Sequence, residues 1–453
     1  MIINKKKLLR AGVCVRDRRL ILGALEASLS AADPRVSMRK NVKLNGNDLS
    51  IVGNRYSLND FDSIRVIGAG KASGHMAEAL FDILQDRITN GLVIMPENLK
   101  TKLRTGKIKL WRASHPIPSQ RGIRGVKQML ETVNNITERD LVICLISGGG
   151  SALMTLPYDG VSLADKQKIT RDLLRSGATI QEINTVRKHI SAVKGGRLAE
   201  HLQNTHTVSL IISDVIGDRL DTIASGPTAP DKTTFNDTVR VLRKYGLWDS
   251  LNGKIRHVIE KGLAGVIPET PKPGSRIFRN VRNFVIANNE QACKAALDHL
   301  RSRGIHAKLL TTSLQGEARD VGKYVASLAK KTRNRGRKPA AVIMGGETTV
   351  TVTGKGKGGR NLELILAASM GISGLSGTTI ASIGTDGIDG NSDAAGAIVD
   401  ALTIERAERL NLVPQKFLQN NDSYSFFKRL GDTIVTGPTG TNVNDLLILL
   451  CVK

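Results

Sequence analysis

Aromatic side chains are scarce, 3% of the 453 residues, and cysteine occurs only four times. So few aromatics leave little with which to stack on bases, and no helix-turn-helix, zinc-finger or RNP pattern is present. Nucleic acid is therefore not expected as a partner, despite a net charge of +25 and a pI near 10.1. The basic residues are spread along the chain, with small clusters only at 5–7 and 331–338. That reads as a solvated surface or one that attracts anionic metabolites. Cys14, Cys144, Cys293 and Cys451 lie too far apart for a disulfide framework or a zinc site, so a reducing, cytoplasmic setting is expected. No apolar run approaches the roughly 18 residues a membrane span needs, and the basic N-terminal stretch lacks the apolar core of a signal peptide.

Glycine, by contrast, is abundant at 45 residues, much of it where strands end. Short apolar strand-like runs ("SIRVIG", "GLVIMP", "DLVICLIS", "TVSLIIS") alternate with helical patterns, the rhythm of βαβ units and a parallel sheet covered on both faces. An opening helix is predicted from Leu20 to Ala32. The polar stretch from Asp231 to Pro273 reads as a linker. A second α/β series begins at "RNFVIANN", which sets a boundary near residue 275 between two domains, 1–274 and 275–453.

Five loops carry chemically useful residues. In "GAGKASG" the glycines read GxGxxxG, which departs from the dinucleotide spacing GxGxxG, and Glu97 is late for a ribose ligand. Lys71 beside Gly70, at a helix start where the dipole already disfavours a cation, asks for an anion; the bland alternative is a surface lysine. Ser147-Gly148-Gly149-Gly150-Ser151 follows a buried strand and lets successive backbone N–H groups face one anion. In "NTVRKHISAVKGGRLA", Arg187, Ser191 and Lys194 would share one side of a helix, either as phosphate contacts or as a solvated basic face. His189 is expected to be a packed or capping histidine. Asp214, straight after a strand, is placed to hold Mg²⁺, to accept a hydroxyl proton, or merely to cap its turn; Asp218 is a weaker candidate. In the second half, Glu347 sits at a strand end, Arg360-Asn361 at a helix start, and Asp386, Asp389 and Asp393 in one acidic glycine loop without EF-hand spacing. Thr439, Thr441, Asn442 and Asn444 precede a final apolar strand. Anion cradles, basic anchors and acids able to hold a divalent metal are the set phosphoryl transfer needs.

Taken as a series, "GAGKAS", "SGGGSAL", "NTVRKHISAVKGGRLA", "SDVIGD" with "IASGPT", "GGETTVTV" with "GKGGRNLE", "GTDGIDG" and "TGPTGTNVNDL" resemble the class II glycerate kinases, whose C-terminal part is the MOFRL domain. The resemblance runs from about Leu20 to the C-terminus. It implies two α/β domains, a Rossmann-like N-terminal one and a MOFRL-type one, with the active site in a cleft between them. It also implies phosphorylation of D-glycerate by ATP and Mg²⁺, typically at the 2-hydroxyl. By the same resemblance Lys71 and Arg360 match residues essential in the family, with Asp214 as the third catalytic group. Gly70, Ser147 to Ser151, Arg187, Lys194 and Asn361 would contact substrate or phosphate, and Asp214, Glu347 and Asp386 the metal. Some relatives carry a hydroxypyruvate reductase name, so NAD(P)H-dependent reduction stands as the alternative; a homodimer stays open. Ile216, Leu362 and Ser119-Gln120 depart from the family's usual proline, glutamine and acidic pair, which touches substrate identity more than reaction class.

Overall fold

The computed structural model describes residues 1–11, 14–335 and 339–452; the end of the basic run at 331–338 lies outside the described residues. Two compact units result, Ser37–Ile286 and a second made of Met1–Val36 with Ala287–Lys453.

The Ser37–Ile286 unit is built on a six-stranded sheet. Its strands are, in spatial order, Ile108–Ala113, Asn90–Pro96, Ser63–Ala69, Asp140–Ser147, His206–Ile212 and Val281–Ala287. Numbered along the chain, that order is 3-2-1-4-5-6, the doubly wound arrangement of nucleotide-binding folds. The first five strands are parallel to their neighbours. Asp140–Ser147 is buried at every position, as its unbroken apolar run requires of a strand covered on both faces. The order reverses between Ser63–Ala69 and Asp140–Ser147, so the crevice outside their carboxyl ends is where a ligand belongs. Those ends open into the Gly70-Lys71 and Gly148–Gly150 loops.

In the other unit the sheet is mixed, in the order His306–Leu314, Ala340–Gly346, Asp445–Cys451, Thr378–Gly384, Gly396–Asp400, Thr433–Ile434. Only the first pair is parallel. The C-terminal strand lies inside the sheet and is buried throughout. Leu447 and Leu449 pack into the core on one face, Leu446, Ile448 and Leu450 into that on the other. Helices Val15–Ala32 and Asn289–Arg301 cover that second face through Ile21, Leu22, Leu25 and Ala296.

Three expectations are corrected. The opening helix starts at Val15, and residues 1–36 join the C-terminal unit because the leucine stripe of that helix completes its core. "RNFVIANN" does not begin the second sheet: Val281–Ala287 is the sixth strand of the first. The stretch from Asp231 to Pro273 is not a linker, since it folds into helices Phe235–Lys244 and Gly253–Leu263. Their Val239, Leu242, Ile255 and Ile259 share a core with Ile183 and Val186.

Candidate active site

The two glycine loops meet through one hydroxyl. Gly70 has φ +151°, and a β-carbon there would overlap Ser147 Oγ, which accepts a hydrogen bond from the Ala72 N–H at 3.0 Å. The Lys71 N–H donates to the Gly148 carbonyl at 2.8 Å. Ser147 is thus a buried tie between the two loops. Gly148 is obligatory for another reason: a β-carbon would overlap the Asp214 carboxylate. Gly149, at φ +78°, passes His115 and the Lys71 side chain just as closely. The sequence-predicted Gly70, Lys71, Gly148, Gly149, Gly150 and Asp214 therefore converge at the switch point. His115 joins them. Burial, and then the Lys71 charge, push its pKa down to about 4, so the imidazole beside Lys71 is neutral in physiological buffers.

A strained turn backs this loop. Ala224, Ser225 and Gly226 all have positive φ, 51°, 62° and 62°, a strain in non-glycine residues that recurs at functional sites. Ser225 pairs with Ser151 at 2.8 Å and donates to Asn184 at 3.2 Å. Gly195 and Gly196 donate to the carbonyls of Ser225 and Gly226, which sets Lys194 against the same turn, its Nζ 3.4 Å from the Ala224 carbonyl. The helix carrying Arg187 ends at His189, so helical spacing is not what aligns Arg187 with Lys194; the paired turns do it. His189 is fully buried and packed edge-on against Phe235, with its Nε2 3.2 Å from Glu269.

Lys166 is the group that sequence reasoning missed. It is 3% exposed, donates to Thr155 Oγ1 at 3.0 Å, and lines a cavity of about 370 Å³ together with Arg187, Gly149, Ser151 and His115. Burial, then the charge of Arg187, lower its pKa to about 7. Lys194 is pushed well below its ordinary value by burial, then by Lys166 and Arg187; burial alone depresses Arg187. Lys166 and Lys194 therefore each have a cation as charged neighbour. The signal in sequence is position: Lys166 follows Leu163 and precedes Ile169 by three residues, on the stripe a helix buries.

In the C-terminal unit Arg360 organises the site. Its guanidinium forks onto Asp445 at 2.6 and 2.9 Å and reaches Glu347 at 2.7 Å. Burial opposes its charge, but Asp445, then Glu347 and Asp389, hold its pKa above the usual arginine value. Asp445 heads the central strand and was not singled out in sequence, although an acid opening an apolar run is visible there. The Asn361 amide donates to Asp389 and accepts from Ser382. Asp389 accepts the backbone N–H groups of Asn361 and Leu362, and Asp393 is hydrogen-bonded to Tyr424, which ties both to the fold. Asp386 accepts from the Ile388 N–H, while Asn444 donates to Glu347 and Thr439 to the Thr385 carbonyl. Ahead of Arg360, the N–H groups of Gly354, Lys355 and Lys357 donate to Asn421, Asn420 and Asp422.

Among the described residues no group of three or more His, Cys, Asp or Glu side chains is arranged to hold a metal ion. Magnesium needs less, commonly one or two carboxylates with substrate phosphates and waters. Asp214, its carboxylate against the glycine loop, fits that role. Glu347 is already engaged by Arg360. No helix among the described residues is long and apolar enough to cross a membrane.

Two family models match the chain, the first beginning within the N-terminal helix that packs in the C-terminal unit. Residues 20–260 match a domain of unknown function, DUF4147, and residues 340–445 match the MOFRL family. The chain is 43% identical to D-glycerate 2-kinase of Thermotoga maritima over 87% of its length and 92% of that protein. It is 42% identical to glycerate 2-kinase of Pyrococcus horikoshii, over 96% of its length and 97% of that protein. A protein of Agrobacterium vitis bearing a hydroxypyruvate reductase name is 37% identical, over 96% and 95%. The crystal structure of the Thermotoga maritima glycerate kinase aligns with TM-score 0.85 at 40% identity, covering 96% of this chain and 99% of that one. A Pyrococcus horikoshii structure aligns with TM-score 0.86 at 40% identity, covering 98% and 100%. With these motifs, this fold and these relatives, the chain belongs to the glycerate kinase family that carries a C-terminal MOFRL domain.

Proposed function

We propose that this protein is a cytoplasmic glycerate 2-kinase that transfers the γ-phosphoryl group of ATP to the 2-hydroxyl of D-glycerate. The observation that carries the reading is the convergence of Lys71, the Gly148–Gly150 loop and Asp214 at the switch point of the first sheet. Phosphoryl transfer asks the protein mainly for positioning and for neutralisation of the oxygens in flight. Backbone N–H groups of the glycine loop and the Lys71 ammonium supply that neutralisation. Asp214 accepts the proton of the attacking hydroxyl as its oxygen bonds to the γ-phosphorus and the bond to the β-phosphate oxygen breaks, releasing ADP. If Asp214 instead held Mg²⁺ with the phosphates, that ion would supply charge neutralisation in place of the proton acceptance. Arg360, its fork oriented by Asp445 and Glu347, is assigned to anionic substrate groups, while Arg187 and Lys194 contact phosphate.

The neutral His115 places no second cation beside Lys71. Hydride transfer from a nicotinamide is less well served. The glycine spacing is wrong, and Glu97, the candidate ribose ligand, is half-exposed and faces Arg121 at 3.8 Å.

The test uses purified protein with D-glycerate, ATP and Mg²⁺, read by enolase without a phosphoglycerate mutase. A signal is expected. A signal only after adding mutase would place the phosphate on the 3-hydroxyl; no ADP at all, with NAD(P)H oxidised by hydroxypyruvate, would overturn the kinase reading. Lys71→Ala and Arg360→Ala should each lower kcat by about a hundredfold or more while circular dichroism stays that of the parent.

A further inference from the structure

The cavity beside the glycine loop is chemically two-sided. At one end stand Lys166 and Arg187, and Lys194 is near enough to both for their charges to bear on it; Lys166 and Lys194 are almost fully buried. At the other end the wall is apolar: Ile117, 67% exposed, Leu174, 57% exposed, and the flanking prolines 116 and 118. Gln167 donates to the Pro118 carbonyl at 2.7 Å, fixing the proline turn to the helix that carries Lys166 and Leu174. Gly149, Ser151 and His115 line the same space and so join it to the Lys71 end.

Each feature restricts the occupant. Buried amines whose charge is disfavoured by burial and by a neighbouring cation hold their protons most readily beside an anion, and a single carboxylate would leave most of that charge unmatched. A volume of about 370 Å³ lies in the range of sites for cofactor-sized ligands. A three-carbon acid would leave most of it empty and has no apolar face to lay on Ile117 and Leu174. A nucleotide has both a flat apolar base and a chain of phosphates.

We infer that this cavity seats the nucleotide phosphoryl donor, its base against the Ile117–Leu174 wall and its phosphates on Lys166, Arg187 and Lys194. The terminal phosphoryl group then points past Gly149 toward Lys71 and Asp214. This rests on the reading that the donor is a nucleoside triphosphate, and it adds Lys166 as a phosphate ligand.

Calorimetric titration of the full chain with ADP, inorganic tripolyphosphate and D-glycerate, each separately, tests it. Lys166→Met should weaken ADP and tripolyphosphate about 10- to 100-fold, the loss of one charge-assisted contact, and leave D-glycerate unchanged. Removing a buried unpaired charge should not unfold the protein, and a melting temperature at or above the parent's would verify that. The exposed pair Ile117→Ser/Leu174→Ser should weaken ADP about fivefold or more and spare tripolyphosphate. Weakening of D-glycerate alone by Lys166→Met would overturn the inference in favour of the acceptor's carboxylate; no change in any ligand would overturn it outright. If the parent bound no ADP but turned over with pyrophosphate as donor, the nucleotide seat would fall and the kinase reading would stand. If ADP bound as predicted and no donor supported turnover, the seat would stand and the kinase reading would fall.

Discussion

Lys166 holds its charge against the surrounding structure, and stability should register this. Burial first, and the Arg187 charge second, bring its pKa from 10.5 to about 7 in the folded protein. Between those values the unfolded chain binds the proton and the folded chain does not, so stability rises with pH across that window. Urea titrations at about pH 7 and about pH 9 should differ by roughly 1–3 kcal/mol in favour of the higher pH. In Lys166→Met that difference should shrink, the remainder belonging to Lys194, whose pKa burial also lowers; an equal slope in the variant would mean the Lys166 amine does not contribute. Glycine and serine loops were legible in the sequence because their chemistry is local. Lys166 was not, because its meaning depends on what its helix buries. Asp445 was hidden for a related reason, since the guanidinium that engages it stands 85 residues earlier in the chain.

Helix boundaries were read well where apolar spacing was dense, and poorly where charges diluted it. Phe235–Lys244 carries two basic residues in its last turn, Arg243 and Lys244, and was taken as linker, yet its Val239 and Leu242 are core. The start of helix Arg360–Gly371 shows the opposite difficulty. Its N-cap, Gly359, offers no side chain, and the cap arrives from 28 residues away as the Asp389 carboxylate, bonded to two backbone N–H groups and the Asn361 amide. Sequence placed Asp389 in an acidic loop; only the fold turns that loop onto the helix. Burial, opposed by those donors, raises its pKa to about 6. Its folded pKa is the higher one, so its protonated form favours folding at low pH, and that contribution fades as pH climbs through about 6. Asp389→Ala should therefore cost about 1–3 kcal/mol at neutral pH by orphaning buried donors. Asp389→Asn, which keeps an acceptor and removes a buried charge, should cost less. Equal melting temperatures for parent and Asp389→Ala would refute the cap.

The alternation of strands and helices was readable along the whole chain, but membership of a unit was not, because it is decided by which faces complete which core. The first helix illustrates this most sharply. Arg18 is fully buried, and its guanidinium reaches Asp400 at 2.8 and 3.1 Å, Asp432 at 2.8 Å and the Leu8 carbonyl at 3.1 Å. Burial works against the charge, and the two carboxylates, Asp432 first, more than compensate. One side chain thereby binds the N-terminal helix to strands nearly 400 residues later. Asp432 keeps Arg406 and Asp400 keeps Thr403 when Arg18 is removed, but each loses its shared cation in a water-free setting. Arg18→Ala should thus destabilise the protein by about 3–5 kcal/mol, and Arg18→Lys, which keeps charge without the fork, by less. Hydrogen exchange distinguishes this from a general loss. Amides of Val15–Ala32, Gly396–Asp400 and Asp445–Cys451 should open sooner in Arg18→Ala, with the strands Ser63–Ala69 and Asp140–Ser147 protected as in the parent. Were those two strands to lose protection first, the clamp would not be what holds the N-terminal helix in its unit.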